Sequence, residues 1–171
     1  MKALSLLFAL TLTLALAGGA LAAAASPPAC AAPEFRQLDF WVGEWDLTWQ
    51  GGKGTNVITR ELDDCVIHEH FTGDASVDGM RGESVSTYQP GPKLWRQTWV
   101  DNQSGYIPLT GGPRSDGTFL LETTRLNPQA ARSRMIFENI KADSFTWRWQ
   151  KSTDDGKTWS DNWVITYKRK T

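Results

Sequence analysis

Apolar and polar residues alternate along several stretches of this chain. The alternation is clearest in residues 45–50 (WDLTWQ), 94–101 (LWRQTWVD) and 145–150 (FTWRWQ). Because successive side chains of a β-strand point to opposite faces, each stretch predicts a strand with one buried face. Weaker signals predict seven further strands, at residues 54–62, 65–72, 83–89, 106–110, 118–124, 133–140 and 162–168.

Residues that favour turns separate nearly all of these predicted strands. They include Gly51-Gly52, Asp63-Asp64, Pro90-Gly91-Pro92, Gly111-Gly112-Pro113 and Asp155-Gly156. Short strands with almost no helical periodicity favour an all-β fold, an antiparallel up-and-down meander of about ten strands. Such a meander avoids exposed edges by closing into a barrel, and a two-sheet sandwich is the alternative. We predict one β-barrel domain over residues 34–171, with a short N-terminal helical turn at 34–41.

The first 22 residues have the features of a signal peptide. Lys2 is followed by a mostly apolar run to Leu16, and Ala20-Leu21-Ala22 supplies the small residues that a signal peptidase reads. The run is too short and too rich in small residues to span a bilayer well, so we predict no integral membrane segment. We expect cleavage after Ala22 or shortly beyond, a flexible Ala/Pro-rich leader at 23–33, and a periplasmic or secreted mature protein.

Charge and motif content exclude several classes of partner. The 18 basic and 19 acidic residues are mixed along the chain and give a net charge of −1, without a basic block for nucleic acid. There is no glycine-rich phosphate loop, and we expect neither a cofactor nor a nucleic-acid partner. In an oxidising compartment, Cys30 and Cys65 are predicted to form a disulfide. Lipidation of Cys30 is disfavoured, because Pro27-Pro28-Ala29 lacks the Leu-like residue of a lipoprotein site.

Tryptophan is the compositional outlier, with nine residues in the chain. Such residues either pack in a core or line a cavity, and in a barrel both can hold. We assign Trp45, Leu47 and Trp49 to ordinary core. Large apolar walls with a few hydrogen-bonding groups are how small-molecule pockets are built. The inward-facing residues that we predict to contact a ligand are Ser86, Tyr88, Gln97, Trp99, Trp147 and Trp149.

Glu69 is a carboxylate on the apolar side of its strand. It shares that face with Cys65, Ile67 and Phe71. Pleating therefore predicts that Glu69 points into the barrel. A general acid or base role for Glu69 is the weakest of its possible roles, because no second catalytic group can be assigned beside it.

Arg60 is the predicted partner of Glu69. A two-residue turn at Asp63-Asp64 pairs Ile58 with Glu69 and leaves Arg60 diagonal to it on the inner face. A buried charge needs a partner or it neutralises. We predict a structural Arg60–Glu69 ion pair, or alternatively a site in which Arg60 or Glu69 holds a polar group of the ligand.

The two histidines, His68 and His70, alternate with Glu69 and are predicted to point outward. A His-x-His pair on a strand is a common metal-ligand arrangement. No other histidine exists in the chain, so a metal would need carboxylates from another strand. We predict two solvated surface histidines and no metal.

Residues 152–159 (STDDGKTW) match the Asp-box pattern S-x-D-x-G-x-T-W at every fixed position. Asp154 is expected to cap the turn, Gly156 to adopt a positive φ and Trp159 to pack beneath. In sialidases the motif repeats on propeller blades, but here it occurs once in a much shorter chain. We predict a hairpin staple and no glycosidase activity.

The run 35–46 (FRQLDFWVGEWD) resembles the opening of a bacterial family of exported, mostly uncharacterised proteins, the domain of unknown function 1579. Residues 54–56 (GTN), the Cys65 strand, residues 95–101 (WRQTWVD) and the Asp-box hairpin resemble it as well. The Gly-x-Trp element at 43–45 is also similar to the first strand of lipocalins and other calycins. The resemblance covers nearly all of the chain after the leader, and it implies a lipocalin-like barrel without established catalytic residues.

These observations favour an exported protein that holds a small apolar or amphipathic molecule inside a Trp-lined barrel, without catalysis of its own. A hydrolase or isomerase that acts within the barrel, using Glu69 with Tyr88, is one alternative. It requires that Glu69 has a raised pKa and is free of Arg60. A barrel packed solid, in an interaction or envelope-associated protein, is the other. The ligand and the oligomeric state do not follow from the sequence.

Overall fold

The computed structural model describes residues 29–125 and 130–171, which form ten β-strands and three short 3-10 helices. Each of the ten predicted strands overlaps one of the observed strands. In chain order the strands are β1 (Gly43–Trp49), β2 (Gly52–Glu61), β3 (Val66–Gly73), β4 (Arg81–Gln89), β5 (Leu94–Asp101), β6 (Tyr106–Pro113), β7 (Phe119–Thr123), β8 (Arg132–Glu138), β9 (Ser144–Ser152) and β10 (Ser160–Arg169).

The ten strands form a closed antiparallel barrel in which every strand pairs with its neighbours in sequence. β1 pairs with β10 to complete the circle, and Trp45 lies opposite Arg169 in this closing pair. The guanidinium carbon of Arg169 lies 4.1 Å from the centroid of the Trp45 ring, an additional cation–π contact across the closure. The predicted up-and-down barrel is confirmed, and the two-sheet sandwich is wrong.

The turn between β2 and β3 has the geometry that its sequence predicts. Asp63 and Asp64 both adopt positive φ, and the Cys65 amide donates to the Leu62 carbonyl oxygen at 3.1 Å. Positive φ at both central residues matches the twist of a two-strand ribbon and fixes its register. Glu69 consequently pairs with Ile58, as expected.

A short N-terminal segment closes one end of the barrel. It contains two 3-10 helices, Pro33–Arg36 and Asp39–Trp41, which confirm the predicted helical turn. Phe35, Leu38 and Trp41 are buried there, and the Trp41 ring contacts Phe137 at a centroid distance of 5.2 Å. We call residues 33–41 the N-terminal plug, this end of the barrel the plugged end, and the opposite end the open end.

A disulfide joins Cys30 to Cys65 and so ties the start of the N-terminal plug to the β2–β3 turn. The pairing is as predicted, and it fits a protein of an oxidising compartment. Among the described residues, no helix is long and apolar enough to cross a membrane. The predicted signal peptide, 1–22, and most of the leader lie outside the described residues.

The Asp-box hairpin between β9 and β10 forms as predicted. Both Asp154 oxygens accept hydrogen bonds from Thr158, and the Gly156 amide donates to Ser152 Oγ at 2.7 Å. Gly156 has a φ of +87°, and the Trp159 indole donates to the Gly156 carbonyl oxygen. The hydrogen bonds that Asp154 accepts from the Thr158 hydroxyl, the Thr158 amide and the Ser152 hydroxyl lower its pKa to about 2. The motif is a structural staple at the surface.

Candidate functional site

A cavity of about 200 Å³ opens into the barrel between its middle and its open end. Most of the residues that line it are apolar or aromatic, with carboxylates at its inner part and its mouth. The lining residues are Trp41, Glu69, Phe71, Met80, Trp99, Asp101, Ile107, Leu109, Met135, Trp147, Trp149, Trp163, Ile165 and Tyr167.

Four tryptophans form the wall of this cavity at the open end. Trp147 and Trp149 lie two residues apart on β9 with their ring planes within 8° of parallel, and Trp163 meets Trp147 edge-on. A bulge in β10 between Asp161 and Trp163 shifts the register there. Bulges re-aim side chains at barrel rims, and Trp163 here faces the cavity.

The fourth tryptophan, Trp99, is held at the mouth by a carboxylate. Its indole nitrogen donates to Asp101 Oδ2 at 2.8 Å, and the amides of Gln103 and Gly105 donate to Asp101 Oδ1. Partial burial works against the Asp101 charge, but these three hydrogen bonds outweigh it and lower the Asp101 pKa. The mouth of the cavity therefore carries a fixed negative charge.

Glu69 lies at the inner part of the cavity and is only 6% exposed. The Ser84 hydroxyl donates to its Oε2 at 2.5 Å, and the Asn56 amide donates to its Oε1 at 2.7 Å. Burial raises the pKa of Glu69 to about 7, although these two hydrogen bonds favour the charged form. The inward orientation predicted from pleating is correct.

Tyr167 extends the hydrogen-bond network of Glu69. The Asn56 amide also donates to the Tyr167 hydroxyl oxygen, at 3.1 Å, so Asn56 bridges the two residues. Because the Tyr167 oxygen accepts this bond, its own hydrogen is left to be donated elsewhere. Both Tyr167 and Glu69 line the cavity. A residue with a hydroxyl donor and a residue with a carboxyl acceptor thus lie together on the mostly apolar inner wall of the cavity.

The structure brings half of the predicted ligand-contacting residues to this cavity. Glu69, Trp99, Trp147 and Trp149 line it. The others do not line it, and their positions along the barrel axis explain why. They are Arg60, Ser86, Tyr88 and Gln97.

Ser86 and Gln97 face inward but lie one residue pair closer to the plugged end. They are opposite each other in the β4–β5 pair, and the Gln97 amide donates to Ser86 Oγ at 2.9 Å. Tyr88 lies deeper still, where its ring meets Phe35 of the N-terminal plug at 5.3 Å. These three side chains belong to the packed interior below the cavity.

Arg60 forms its ion pair with Asp39 of the N-terminal plug rather than with Glu69. It also donates to the Asp64 carbonyl oxygen. The strand register is the predicted one, with Arg60 opposite Ile67 and diagonal to Glu69. The Arg60 side chain nevertheless does not pair with Glu69. The N-terminal plug supplies the carboxylate that Arg60 pairs with, and the predicted Arg60–Glu69 ion pair is wrong.

Three polar residues of the site were not among the predicted ligand contacts: Asn56, Ser84 and Tyr167. The sequence signal for Asn56 is its position two residues before Ile58, on the same face of β2, and the structure shows that it is fully buried. Ser84 lies directly opposite Glu69 in the β3–β4 pair. Prediction of its contact with Glu69 required the register across a long loop, which local pattern does not supply.

The two histidines point outward, as predicted, but a third residue meets them. Glu83 of β4 lies 3.2 Å from His68 Nε2 and 3.4 Å from His70 Nδ1, measured to its two oxygens. Among the described residues, His68, His70 and Glu83 are the group whose donor atoms lie close enough together to hold a metal ion. The expectation of two simply solvated histidines is therefore incomplete.

No protein-family model matches this chain, and no curated protein matches it either. The resemblance to the exported bacterial family stays a prediction.

Proposed function

We propose that this protein binds a small, partly apolar molecule in the Trp-lined cavity of its barrel, without catalysis of its own. The observation that carries the proposal is the position of Glu69 and Tyr167 on the inner wall of a mostly apolar cavity, with Asp101 at its mouth. Binding sites for small molecules combine apolar walls with a few convergent polar groups in this way. A barrel packed solid would leave no such space.

The size of the cavity limits the ligand. Its volume of about 200 Å³ exceeds that of an engineered apolar cavity of about 150 Å³ that takes up benzene. It is below the range of roughly 300–1,000 Å³ that is typical for drug-sized ligands. We infer that the part of the ligand inside the cavity is about one ring in size.

The polar groups favour a ligand that carries one hydroxyl. Tyr167 has a hydrogen to donate, and a carboxyl group retains acceptor sites beyond the two hydrogen bonds that Glu69 accepts. A ligand hydroxyl accepts from the first and donates to the second. In an apolar cavity without these partners, an unbonded hydroxyl costs about 1–3 kcal/mol.

Two conditions for catalysis by Glu69 are met, because its pKa is raised and Arg60 pairs with Asp39 instead. Binding is favoured over catalysis because the predicted catalytic partner of Glu69 does not line the cavity. Tyr88, which an enzyme was predicted to use with Glu69, packs against the N-terminal plug. The tyrosine that shares the cavity, Tyr167, reaches Glu69 only through Asn56. Burial also raises the pKa of Tyr167 well above its usual value, with the Glu69 charge adding to the effect, which opposes its use as a base.

Phenol and toluene are matched probes of the site, since they differ by a hydroxyl in place of a methyl group. We expect phenol to bind the mature protein at least as tightly as toluene, measured from shifts of the tryptophan indole signals in NMR titrations. Tyr167→Phe should weaken phenol about tenfold, the value of one hydrogen bond, and leave toluene unchanged. Tyr88→Phe, a matched change outside the cavity, should alter neither.

The outcomes separate the parts of the proposal. If neither probe binds, the proposed binding function is wrong. If toluene binds more tightly than phenol and Tyr167→Phe changes nothing, the cavity binds apolar molecules but the polar anchor is wrong. Native mass spectrometry of the protein purified from its own host then identifies the natural ligand, and Glu69→Gln should reduce its retention.

Export and family membership complete the proposal. We infer that residues 1–22 are removed and that the mature protein works in the periplasm or outside the cell. The bacterial family that this chain resembles consists of exported proteins. The Cys30–Cys65 disulfide supports an oxidising location. N-terminal sequencing of the protein from its host should find a start just after Ala22, and an intact Met1 would contradict export by cleavage.

A further inference from the structure

We propose that His68, His70 and Glu83 form a binding site for one divalent transition-metal ion, of the zinc type, on the outer wall of the barrel. The site is separate from the cavity, because pleating sends these side chains to the opposite face from Glu69. It does not depend on the proposed ligand.

The backbone fixes the three residues next to each other. His68 and His70 are two residues apart on β3, so both rings emerge on the same side, and their centroids lie 4.1 Å apart. Glu83 lies directly opposite His70 in the β3–β4 pair. Sites built on paired strands need little ordering when an ion binds, in contrast to sites on loops.

The distances match the requirements of a small ion. In a tetrahedral zinc site with bonds of about 2.0–2.1 Å, neighbouring ligand atoms lie about 3.3 Å apart. Glu83 oxygens lie 3.2 Å from His68 Nε2 and 3.4 Å from His70 Nδ1. All three donor atoms lie within 4.8 Å of one another. Small rotations of these partly exposed side chains bring the donors around one centre.

The chemistry of the donors selects the class of ion. Two imidazole nitrogens and one carboxylate oxygen suit zinc, copper or nickel, whereas calcium and magnesium prefer oxygen ligands alone. Three protein ligands leave at least one coordination position for water or an external donor. The two cysteines of the chain are bonded to each other, so no thiolate competes for the ion.

A hydrogen bond between His68 Nε2 and Glu83 Oε2, at 3.2 Å, also joins two of these residues. A divalent ion would use one nitrogen of each ring and one Glu83 oxygen together, so it accounts for the position of all three side chains.

The test is a calorimetric titration of the mature protein with Zn²⁺, after treatment with a chelator and without a polyhistidine tag. We expect one ion per chain. Even a partner of a metal ligand changes metal affinity about 10–100-fold, so His68→Ala and His70→Ala should each weaken binding at least about tenfold. Glu83→Gln should weaken it as well. Glu61→Gln, which changes an exposed carboxylate on the neighbouring strand, should leave the affinity unchanged.

The chain contains only these two histidines, which makes a second readout unambiguous. In NMR spectra, both imidazoles should shift together on addition of one equivalent of Zn²⁺. The absence of a one-to-one complex would overturn the proposal, as would Zn²⁺ binding that both histidine variants retain. Because all three side chains lie on the outer wall, we expect each variant to keep the melting temperature of the parent within a few degrees.

Discussion

The two ends of the barrel are built from the same kinds of residue but differ in how the space is filled. At the plugged end, Trp41, Trp45 and Trp95 are at most 1% exposed. At the open end, Trp99, Trp147, Trp149 and Trp163 are only partly buried. The difference is the N-terminal plug, which inserts Phe35, Leu38 and Trp41 at one end. A high content of tryptophan therefore does not distinguish a packed core from a cavity. The two ends differ because a segment of the chain covers only one of them.

The largest expected contrast comes from removing one tryptophan at each end. Trp45→Ala should lower the free energy of unfolding by about 3–5 kcal/mol, because a fully buried ring is lost and a void remains. Trp149→Ala at the open end should cost less than about 2 kcal/mol, since the ring already borders empty space. Urea denaturation measures both changes. Equal losses would contradict the distinction between a packed and an open end.

Opening the disulfide should loosen the plugged end selectively. Replacement of Cys30 and Cys65 by Ala should cost about 3–4 kcal/mol on the chain-entropy account, given a separation of 35 residues. Hydrogen exchange should increase most in residues 30–41, with the open end less affected. Uniform acceleration around the whole barrel would show that the N-terminal plug is not an independently fastened element.

The pH dependence of stability should report the buried carboxyl group of Glu69. Its pKa is about 7 in the folded protein against an ordinary value of 4.5, so the folded state binds the proton more tightly. Its contribution to stability is complete below pH 4.5 and is lost as the pH rises through 7. The loss is about 3 kcal/mol at 1.36 kcal/mol per pKa unit.

Glu69→Gln isolates this effect from the other titrating groups. The difference in unfolding free energy between the parent and the variant should change by that amount from about pH 4 to about pH 9, measured by urea denaturation at several pH values. A difference that does not vary with pH would mean that the carboxyl group is not desolvated by the barrel.

A smaller effect is expected from adding one methyl group at the open end. Gly82 of β4 lies against the Trp99 ring, and a Cβ at this position would overlap it. Gly82→Ala should displace the ring, weaken phenol binding and cost about 1 kcal/mol of stability, the lower limit for overpacking. Gly91→Ala is the control, because its Cβ would meet no atom within 4 Å. Unchanged phenol binding in Gly82→Ala would show that Trp99 does not contact the bound phenol.

The sequence predicted which side chains point into the barrel, but it did not predict how far along the barrel axis each one lies. Alternation predicted all ten strands and the inward orientation of Glu69, because pleating depends only on neighbouring residues. It did not separate Trp99 from Tyr88, although both face inward, because their heights along the barrel axis depend on register across every strand. Local pattern carries no information on how the barrel is staggered.

The local sequence pattern also did not predict side-chain contacts between residues that lie far apart in the sequence. Arg60 was predicted to pair with Glu69, but in the structure it forms an ion pair with Asp39 of the N-terminal plug. Glu83 was not linked to His68 and His70, because residues 74–80 separate β3 from β4 and contain a 3-10 helix that a hairpin rule does not anticipate. In both cases the missing information was the path of a connecting segment.

A crystal structure of the mature protein soaked with phenol tests the central claim most directly. The claim predicts a ring bound among Trp99, Trp147 and Trp149, with its hydroxyl oxygen within hydrogen-bond distance of Glu69 and Tyr167. A phenol molecule bound only elsewhere on the protein, with the cavity holding none, would contradict it.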